Sequence, residues 1–431
     1  MRLVTNNTPP ADPARRQFVH RSLVLASGLA GSSFASAQSP APHGSTLDVT
    51  KAPREGARPL PDPAWTRHAI RTMWAERRRT GVTPLHKLQA PFDPNLCLYL
   101  KDESKSPTGS LKHRVAWGLV MSALIDGSIG PETHLYEASS GNTAIGEAYF
   151  AKILGLEYTA VVRPGVSALK IRAIEGYGGH VAVAPDGMSP GAHLQERLAK
   201  DPRGYDFNQF ANTERVLDYF DAAPDRTMNM AAEIVRQLES EPLSFPQWFV
   251  AGAGSGGTAT SIARYLRKWG NFGNNNYDAS LAVVDPEDSV LFDWYMTGDD
   301  SLAIPRPSRI EGIGSSGPVV FGKTFSLLRR GVAEMVKVPD DASLAGMQLL
   351  SELLGFDVGA SSGTNFYGAL RLLERMHRER RSGAVVTIVC DDGARYRDKY
   401  YNPTWLAATK LDSSAWKARL ARLWETGQLR T

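Results

Sequence analysis

The sequence predicts an α/β fold in which parallel strands alternate with helices and are divided between two domains. Short apolar runs typical of buried strands alternate with longer helical patterns over residues 96–389. A glycine-rich segment at 252–258 stands between one such strand and the next helix. The 431 residues leave room for two domains. Because parallel strands need long crossover connections, this alternation favours parallel sheets flanked by helices.

The predicted strands are short apolar runs at residues 96–100, 134–138, 158–162, 181–184, 248–251, 281–284 and 385–389. The predicted helices cover residues 110–125, 143–154, 168–175, 258–269, 342–354 and 364–378. Gly127 and Gly155 are placed to end the first two helices. Residues 201–210 are expected to join two α/β units. We therefore expect an N-terminal domain over 61–205 and a C-terminal domain over 206–431.

The N-terminal segments follow one another in the order typical of an export signal. Arg15 and Arg16 precede an uncharged stretch of small and apolar residues, 22–37, which ends in Ala-Ser-Ala. This pattern predicts a twin-arginine-type signal peptide over 1–37, cleaved after Ala37, and a linker over 38–60. The expected location is the periplasm, without membrane attachment after cleavage. The alternative is a disordered tail on a cytoplasmic protein.

Composition argues against several classes of partner. The net charge of +4 comes from short basic runs, which are typical of solvated helix faces and not of a nucleic-acid surface. Nucleic acid is therefore not an expected partner. No metal-ligand spacing is present in the sequence, so a metal is not expected either. Cys97 and Cys390 lie in apolar runs and are expected to be buried free thiols; a disulfide is the alternative in an exported protein.

The segment GAGSGGT (252–258) follows a predicted strand and opens a helix. Glycines allow close backbone approach, and the free amides at a helix start bind anions, so a phosphate site is expected. The same glycines fit a dinucleotide-binding loop, with Asp285 as its acidic partner. A structural tight turn is a further alternative.

Two other segments carry polar groups at predicted helix starts. Lys112 follows the turn PTGS, where partial burial and the helix dipole would favour the neutral amine needed for Schiff-base chemistry. The loop SSGNT (139–143) offers hydroxyls, an amide and backbone N–H groups to a carboxylate. Taken singly, a surface lysine and a capping turn explain these features equally well.

The segments SPTGSLKHR, EASSGNT, GAGSGGT and CDDGARY occur in one order between Thr83 and Tyr396. In this order they resemble the cysteine synthase and cystathionine β-synthase family. These are fold-type II pyridoxal-phosphate enzymes with a two-domain, tryptophan synthase β-like fold. The sequences of these motifs are most similar to those of the L-cysteine desulfhydrase branch. The resemblance implies pyridoxal 5'-phosphate as cofactor, a small amino acid as substrate and a homodimer.

The resemblance also implies roles for individual residues. Lys112 would hold the cofactor as a Schiff base and act as catalytic base, Asn142 would contact the cofactor, and Ser361 would face its ring nitrogen. The implied phosphate clamp is Gly254, Ser255, Gly256, Gly257 and Thr258. The implied substrate contacts are Ser139, Ser140, Asn142, Thr143, Gln209 and Gly312.

Two motifs depart from the family pattern. The last family motif usually begins with proline and two serines, where this chain has Cys390, Asp391 and Asp392. The asparagine loop continues with Ala144 where glycine is common. Both departures bear on the choice of substrate and not on cofactor binding.

The expected reaction is β-elimination on L-cysteine, giving sulfide, pyruvate and ammonia. The first alternative is β-replacement, in which sulfide and O-acetylserine yield cysteine. Two alternatives of other classes are a nicotinamide-dependent dehydrogenase on the glycine loop and a non-catalytic ligand-binding protein on the same fold. Lys112 argues against the dehydrogenase, and the combination of Lys112, Asn142 and Ser361 argues against the binding protein.

Overall fold

The computed structural model describes residues 61–216, 227–242, 246–270, 279–305, 308–317, 319–320, 323–324, 327 and 329–429. The predicted signal peptide and linker lie outside these residues. The described residues belong to one compact unit, Pro59–Thr431. None of the helices in this described part of the chain is long and apolar enough to cross a membrane.

The described strands are β1 (Leu85–Gln89), β2 (Leu96–Asp102), β3 (His134–Glu137), β4 (Glu157–Val162), β5 (His180–Val183), β6 (Gly204–Asp206), β7 (Trp248–Gly252), β8 (Ser280–Pro286), β9 (Val319–Val320), β10 (Lys323–Thr324), β11 (Glu334–Val338) and β12 (Gly383–Val389). β2 and β12 are buried along their whole length, as strands covered by helices on both faces must be.

The described helices are α1 (Pro63–Thr80), α2 (Lys112–Ile125), α3 (Asn142–Leu154), α4 (Ala168–Glu175), α5 (Pro190–Lys200), α6 (Gln209–Val216), α7 (Met230–Leu238), α8 (Gly257–Gly270), α9 (Leu291–Thr297), α10 (Asp340–Leu354), α11 (Ala360–Arg378), α12 (Pro403–Thr409) and α13 (Ser414–Thr426). Local chemistry explains several of their ends. Ser167 caps α4 by accepting a hydrogen bond from the Leu169 amide, and Gly155 ends α3 in a left-handed conformation.

The strands form a large sheet in the order β1-β2-β12-β7-β8-β11 and a smaller sheet in the order β5-β4-β3-β6. All neighbours are parallel except β1, which pairs antiparallel with β2. A separate antiparallel pair joins β9 and β10. The predicted fold class, parallel sheets flanked by helices, is confirmed.

Strands that are neighbours along the chain do not always belong to the same sheet. β2 comes before the whole small sheet, yet it pairs with β12, near the end of the chain. Residues 201–210, predicted as a joint, include β6, which pairs with β3 at the edge of the small sheet. The division into domains at 205/206 stays a prediction, and residues 85–102 of its first part lie in the large sheet.

A buried network of charges ties α1, α2 and β2 to α7. The Glu233 carboxylate, on α7, is almost fully buried and accepts hydrogen bonds from Lys101 at 2.5 Å, Arg114 at 2.9 Å and Arg77 at 2.9 Å. These cations hold the pKa of Glu233 far below its ordinary value although burial alone would raise it. Glu103 completes the network by accepting two hydrogen bonds from Arg114.

Candidate active site

Nine of the predicted site residues line one cavity of about 520 Å³, counted to its open mouth. It lies where the carboxyl ends of β7 and β12 meet, the edge at which parallel α/β sheets commonly bind ligands. The nine are Lys112, Asn142, Gly254, Ser255, Gly256, Gly257, Thr258, Gly312 and Ser361.

Four helices begin at this cavity. Lys112 is the first residue of α2, Asn142 of α3 and Gly257 of α8, and Ser361 is the second residue of α11. The N-terminus of a helix carries a partial positive charge and free N–H groups. Their convergence favours bound anions and disfavours a protonated amine at Lys112.

The turn before Lys112 is fixed to the end of β12. The Leu111 amide donates to the Cys390 carbonyl at 2.8 Å, and Ser110 pairs with Asp391 in an antiparallel bridge. Burial lowers the pKa of the Lys112 ammonium below its ordinary value, while Cys390 and Asp391 act in the opposite direction. Burial therefore favours the neutral amine that covalent chemistry requires.

The glycine loop packs directly against neighbouring backbone. A Cβ at Gly254 would lie 2.8 Å from the Gly312 carbonyl oxygen, and one at Gly256 would lie 2.5 Å from the Leu327 nitrogen. Gly256 also has a φ of +85°, which other residues rarely adopt. The loop therefore needs glycine, and it leads into the free amides at the start of α8, a site suited to a phosphate.

The loop 139–143 brings only one of its predicted residues to the cavity wall. The Asn142 amide donates to Asp391 at 2.6 Å and accepts from Arg395. Thr143 is buried and donates to the Gln209 side chain at 2.8 Å. The described cavity wall does not include Ser139, Ser140, Thr143 or Gln209. Their contact with a substrate carboxylate stays a prediction.

Sequence reasoning gave no site role to three residues with polar side chains that the structure places in the cavity wall: Asn365, Cys390 and Asp391. Asn365 donates to Cys390 Sγ at 3.2 Å and to the Ile388 carbonyl at 3.1 Å. Burial raises the pKa of the Cys390 thiol to about 12, so the thiol stays neutral. Spacing was the available signal, because Asn365 stands four residues after Ser361 on one helix face.

The two cysteines are free and buried, as predicted. Cys97 lies in β2, and Cys390 follows β12 at the cavity. The structure therefore holds no disulfide between them.

The residues present fit pyridoxal phosphate. The glycine loop at the start of α8 suits the phosphate, the half-buried Lys112 amine at the cavity wall suits the aldehyde, and the Ser361 hydroxyl suits a polar atom of the ring. In addition, Asn365 Oδ1 and Asp391 Oδ1 are buried without a hydrogen-bond partner among the described residues. Buried polar atoms are seldom left unpaired, so these two oxygens are consistent with a polar ligand in the cavity.

Sequence comparison also indicates a pyridoxal-phosphate enzyme. Residues 77–391 match the profile of the pyridoxal-phosphate dependent enzyme family. The L-cysteine desulfhydrase Cds1 of Mycobacterium tuberculosis (strain ATCC 25177 / H37Ra) is 42% identical over 361 residues, which cover 83% of this chain and 94% of that relative.

Solved structures extend the likeness to the fold. An O-acetylserine dependent cystathionine β-synthase from Helicobacter pylori matches with a TM-score of 0.60 and 27% identity, over 75% of this chain and 97% of the other. A hydrogen sulfide-producing enzyme from Fusobacterium nucleatum matches with a TM-score of 0.61 and 25% identity, over 74% and 96%. With the cavity and the family match, these likenesses show that the chain belongs to the pyridoxal-phosphate dependent enzymes.

Proposed function

We propose that this chain eliminates the β-substituent of L-cysteine and releases sulfide, pyruvate and ammonia. The observation that carries the proposal is the 42% identity to a relative named as an L-cysteine desulfhydrase, over 94% of its length. The likeness to a hydrogen sulfide-producing enzyme supports it. So does the cavity, which brings Lys112, the glycine loop and Ser361 together.

The residues that would hold the cofactor are Lys112, Asn142, Ser361 and the loop 254–258. The loop amides at the start of α8 would hold the phosphate, and Ser361 would offer its hydroxyl to the ring nitrogen. When bound, pyridoxal phosphate supplies an electron-withdrawing group that stabilises negative charge at the substrate Cα. A hydroxyl, unlike a carboxylate, does not hold the ring nitrogen protonated.

Lys112 has two roles in this proposal. Its amine would hold the cofactor at rest, and the free amine would remove the α-proton of the substrate as a general base. Burial suits both roles, because it lowers the pKa of the ammonium and so raises the fraction of neutral amine. Ser139, Ser140, Asn142, Thr143 and Gln209 are proposed to orient the substrate carboxylate.

A product assay tests the reaction. Purified protein is offered L-cysteine, L-serine, or O-acetylserine with sulfide, and sulfide, pyruvate and cysteine are measured. We expect sulfide and pyruvate in equal amounts from L-cysteine, and neither from Lys112→Ala. Cysteine formed from O-acetylserine in excess of any sulfide released from cysteine would refute elimination as the main activity.

The second candidate is β-replacement, which the likeness to an O-acetylserine dependent enzyme favours. The same assay detects it. A non-catalytic binding protein would form no product from any of the three substrates, and its cofactor spectrum would not change when they are added.

We also propose export to the periplasm and a homodimer. The support for export is the Arg15-Arg16 pair and the uncharged stretch that follows it. The support for the dimer is the family resemblance. Cell fractionation with N-terminal sequencing tests export, and light scattering of the purified protein tests the dimer; a monomer at working concentration would contradict the latter.

A further inference from the structure

We propose that Asp391 is a positioning residue of this site, whose carboxylate fixes the amide of Asn142 and attracts the ammonium of Lys112. The inference rests on the proposed attachment of the cofactor to Lys112, but not on which substituent leaves. The family motif usually has serine at this position, so the family pattern gives the carboxylate no role.

The backbone of Asp391 is fixed from three sides. It follows β12 directly and pairs with Ser110, two residues before Lys112. The Asp392 amide donates to the Gly109 carbonyl at 3.1 Å, and the Gly359 amide donates to the Asp391 carbonyl at 3.2 Å. The carboxylate is therefore carried by a rigid junction between the turn before α2 and the start of α11.

Its side chain sets the orientation of Asn142. Asp391 Oδ2 accepts from Asn142 Nδ2 at 2.6 Å and from the Tyr396 hydroxyl at 2.5 Å. On the other side of the amide, Arg395 donates to Asn142 Oδ1. A flipped amide would face the carboxylate with its oxygen and the guanidinium with its NH₂ group. The two charged neighbours therefore permit one orientation.

The Asp391 carboxylate packs closely against the backbone of Gly359. A Cβ at Gly359 would lie 1.9 Å from Asp391 Oδ1, so the carboxylate occupies space that only glycine leaves open. Asp391 is 3% exposed. Serine at 391 would be shorter and uncharged, and it would leave both Asn142 and Tyr396 without this acceptor.

Asp391 is also the carboxylate that shares the cavity wall with Lys112. Among the described residues that line the cavity, the titratable groups are Lys112, Cys390 and Asp391. The Cys390 thiol is neutral because burial raises its pKa to about 12. Asp391 is thus the negative charge available to oppose the ammonium, and it contributes to raising the Lys112 pKa.

The groups that face Asp391 act on it in both directions. Burial has the largest effect and raises the pKa of the Asp391 carboxyl above its ordinary value, although the Tyr396 hydroxyl, the Arg395 charge, the Asn142 amide and the Lys112 charge act in the opposite direction. From α4, the Lys170 ammonium lies 5.8 Å from the centre of the Tyr396 ring. The hydrogen-bonding and cationic neighbours therefore offset part of the cost of burying the carboxylate.

Two substitutions separate the two roles. Asp391→Asn keeps an oxygen that accepts from Asn142 but removes the charge, whereas Asp391→Ser removes both. Asp392→Asn is the matched control, since the Asp392 side chain caps the turn at Ala394 and is not part of the described cavity wall. In each cofactor-loaded protein, the absorption of the bound cofactor is followed against pH. Binding of L-alanine, which lacks a leaving group, is measured from the spectral change.

We expect both Asp391 variants to lower the pH midpoint of the Lys112–cofactor linkage by about one unit, because a nearby negative charge stabilises a cation by roughly that amount or more. We expect Asp391→Ser alone to weaken L-alanine binding by about tenfold. Asp392→Asn should change neither value. If Asp391→Asn does not retain the cofactor, the midpoint is taken from Asp391→Ser, which also removes the charge.

An unchanged midpoint in loaded Asp391→Asn, or in loaded Asp391→Ser where that replaces it, would overturn the charge role. Unchanged L-alanine binding in Asp391→Ser would overturn the role toward Asn142. A wild-type protein whose cofactor cannot be fixed by borohydride would instead refute attachment at Lys112, so the two failures are distinguishable.

Discussion

Gly256→Ala should weaken cofactor binding in addition to the cost that it imposes on the fold. The substitution adds a Cβ 2.5 Å from the Leu327 nitrogen and 2.8 Å from its Cα, whereas ordinary contact begins at 3.4 Å. Both neighbours are backbone atoms, so no side-chain rotation relieves the contact. The loop must move by about an ångström, and this displaces the amides proposed to hold the phosphate.

The magnitude has two parts. A residue other than glycine at a φ of +85° costs about 1–2 kcal/mol in the folded protein, whether or not cofactor is bound. Displacing amides from a phosphate weakens charge-assisted hydrogen bonds worth about 1.5–3 kcal/mol each. The loss of one such bond corresponds to roughly a tenfold to hundredfold rise in the cofactor Kd.

Gly155→Ala is the matched control. Gly155 has a φ of +69°, and no heavy atom lies within 4 Å of an added Cβ. It ends α3 away from the cavity, so its substitution carries the backbone cost without the contact. The assays are absorbance titration of cofactor-free protein with pyridoxal phosphate, and urea unfolding of the same samples. A cofactor Kd for Gly256→Ala within twofold of the wild type would refute the assignment of the loop.

Glu233→Gln should destabilise the fold by about 3–5 kcal/mol in urea unfolding, because it leaves Arg114 buried with less compensating charge. Since its folded pKa lies below the ordinary 4.5, Glu233 stabilises the protein above that pH and loses this contribution as the pH falls. A variant as stable as the wild type at pH 7 would contradict this. Ser361→Asp should favour a protonated ring nitrogen and change the spectrum of the bound cofactor; an unchanged spectrum in a folded, loaded variant would mean that Ser361 does not contact the ring. Replacing Arg15 and Arg16 together with lysine should retain active enzyme in the cytoplasm, as cell fractionation would show; wild-type protein found there with its N-terminus intact would refute export.

The sequence was most informative where local chemistry determines structure. The helix Ala168–Glu175 was predicted with the observed bounds, and in the structure Ser167 caps its start. The glycine loop was predicted at a junction between strand and helix, and β7 and α8 flank it. Partial burial was expected to lower the pKa of Lys112, and desolvation of the half-buried side chain does lower it.

Pairing between distant segments was not predictable from local patterns. Nothing within β2 indicates that it pairs with β12, nearly 290 residues later, instead of with β3. The same applies to Asp391. Its motif was noted as a departure from the family, but its hydrogen bond to Asn142 depends on two sheets meeting at one cavity.

The most direct test of the central claim is to locate the covalent bond to the cofactor. Purified protein is treated with borohydride and digested, and the modified peptide is identified by mass spectrometry. We predict a reduced pyridoxyl group on Lys112 and its loss, together with activity, in Lys112→Ala. A reduced pyridoxyl group on a different lysine, or an active Lys112→Ala protein with a reducible cofactor, would contradict the account.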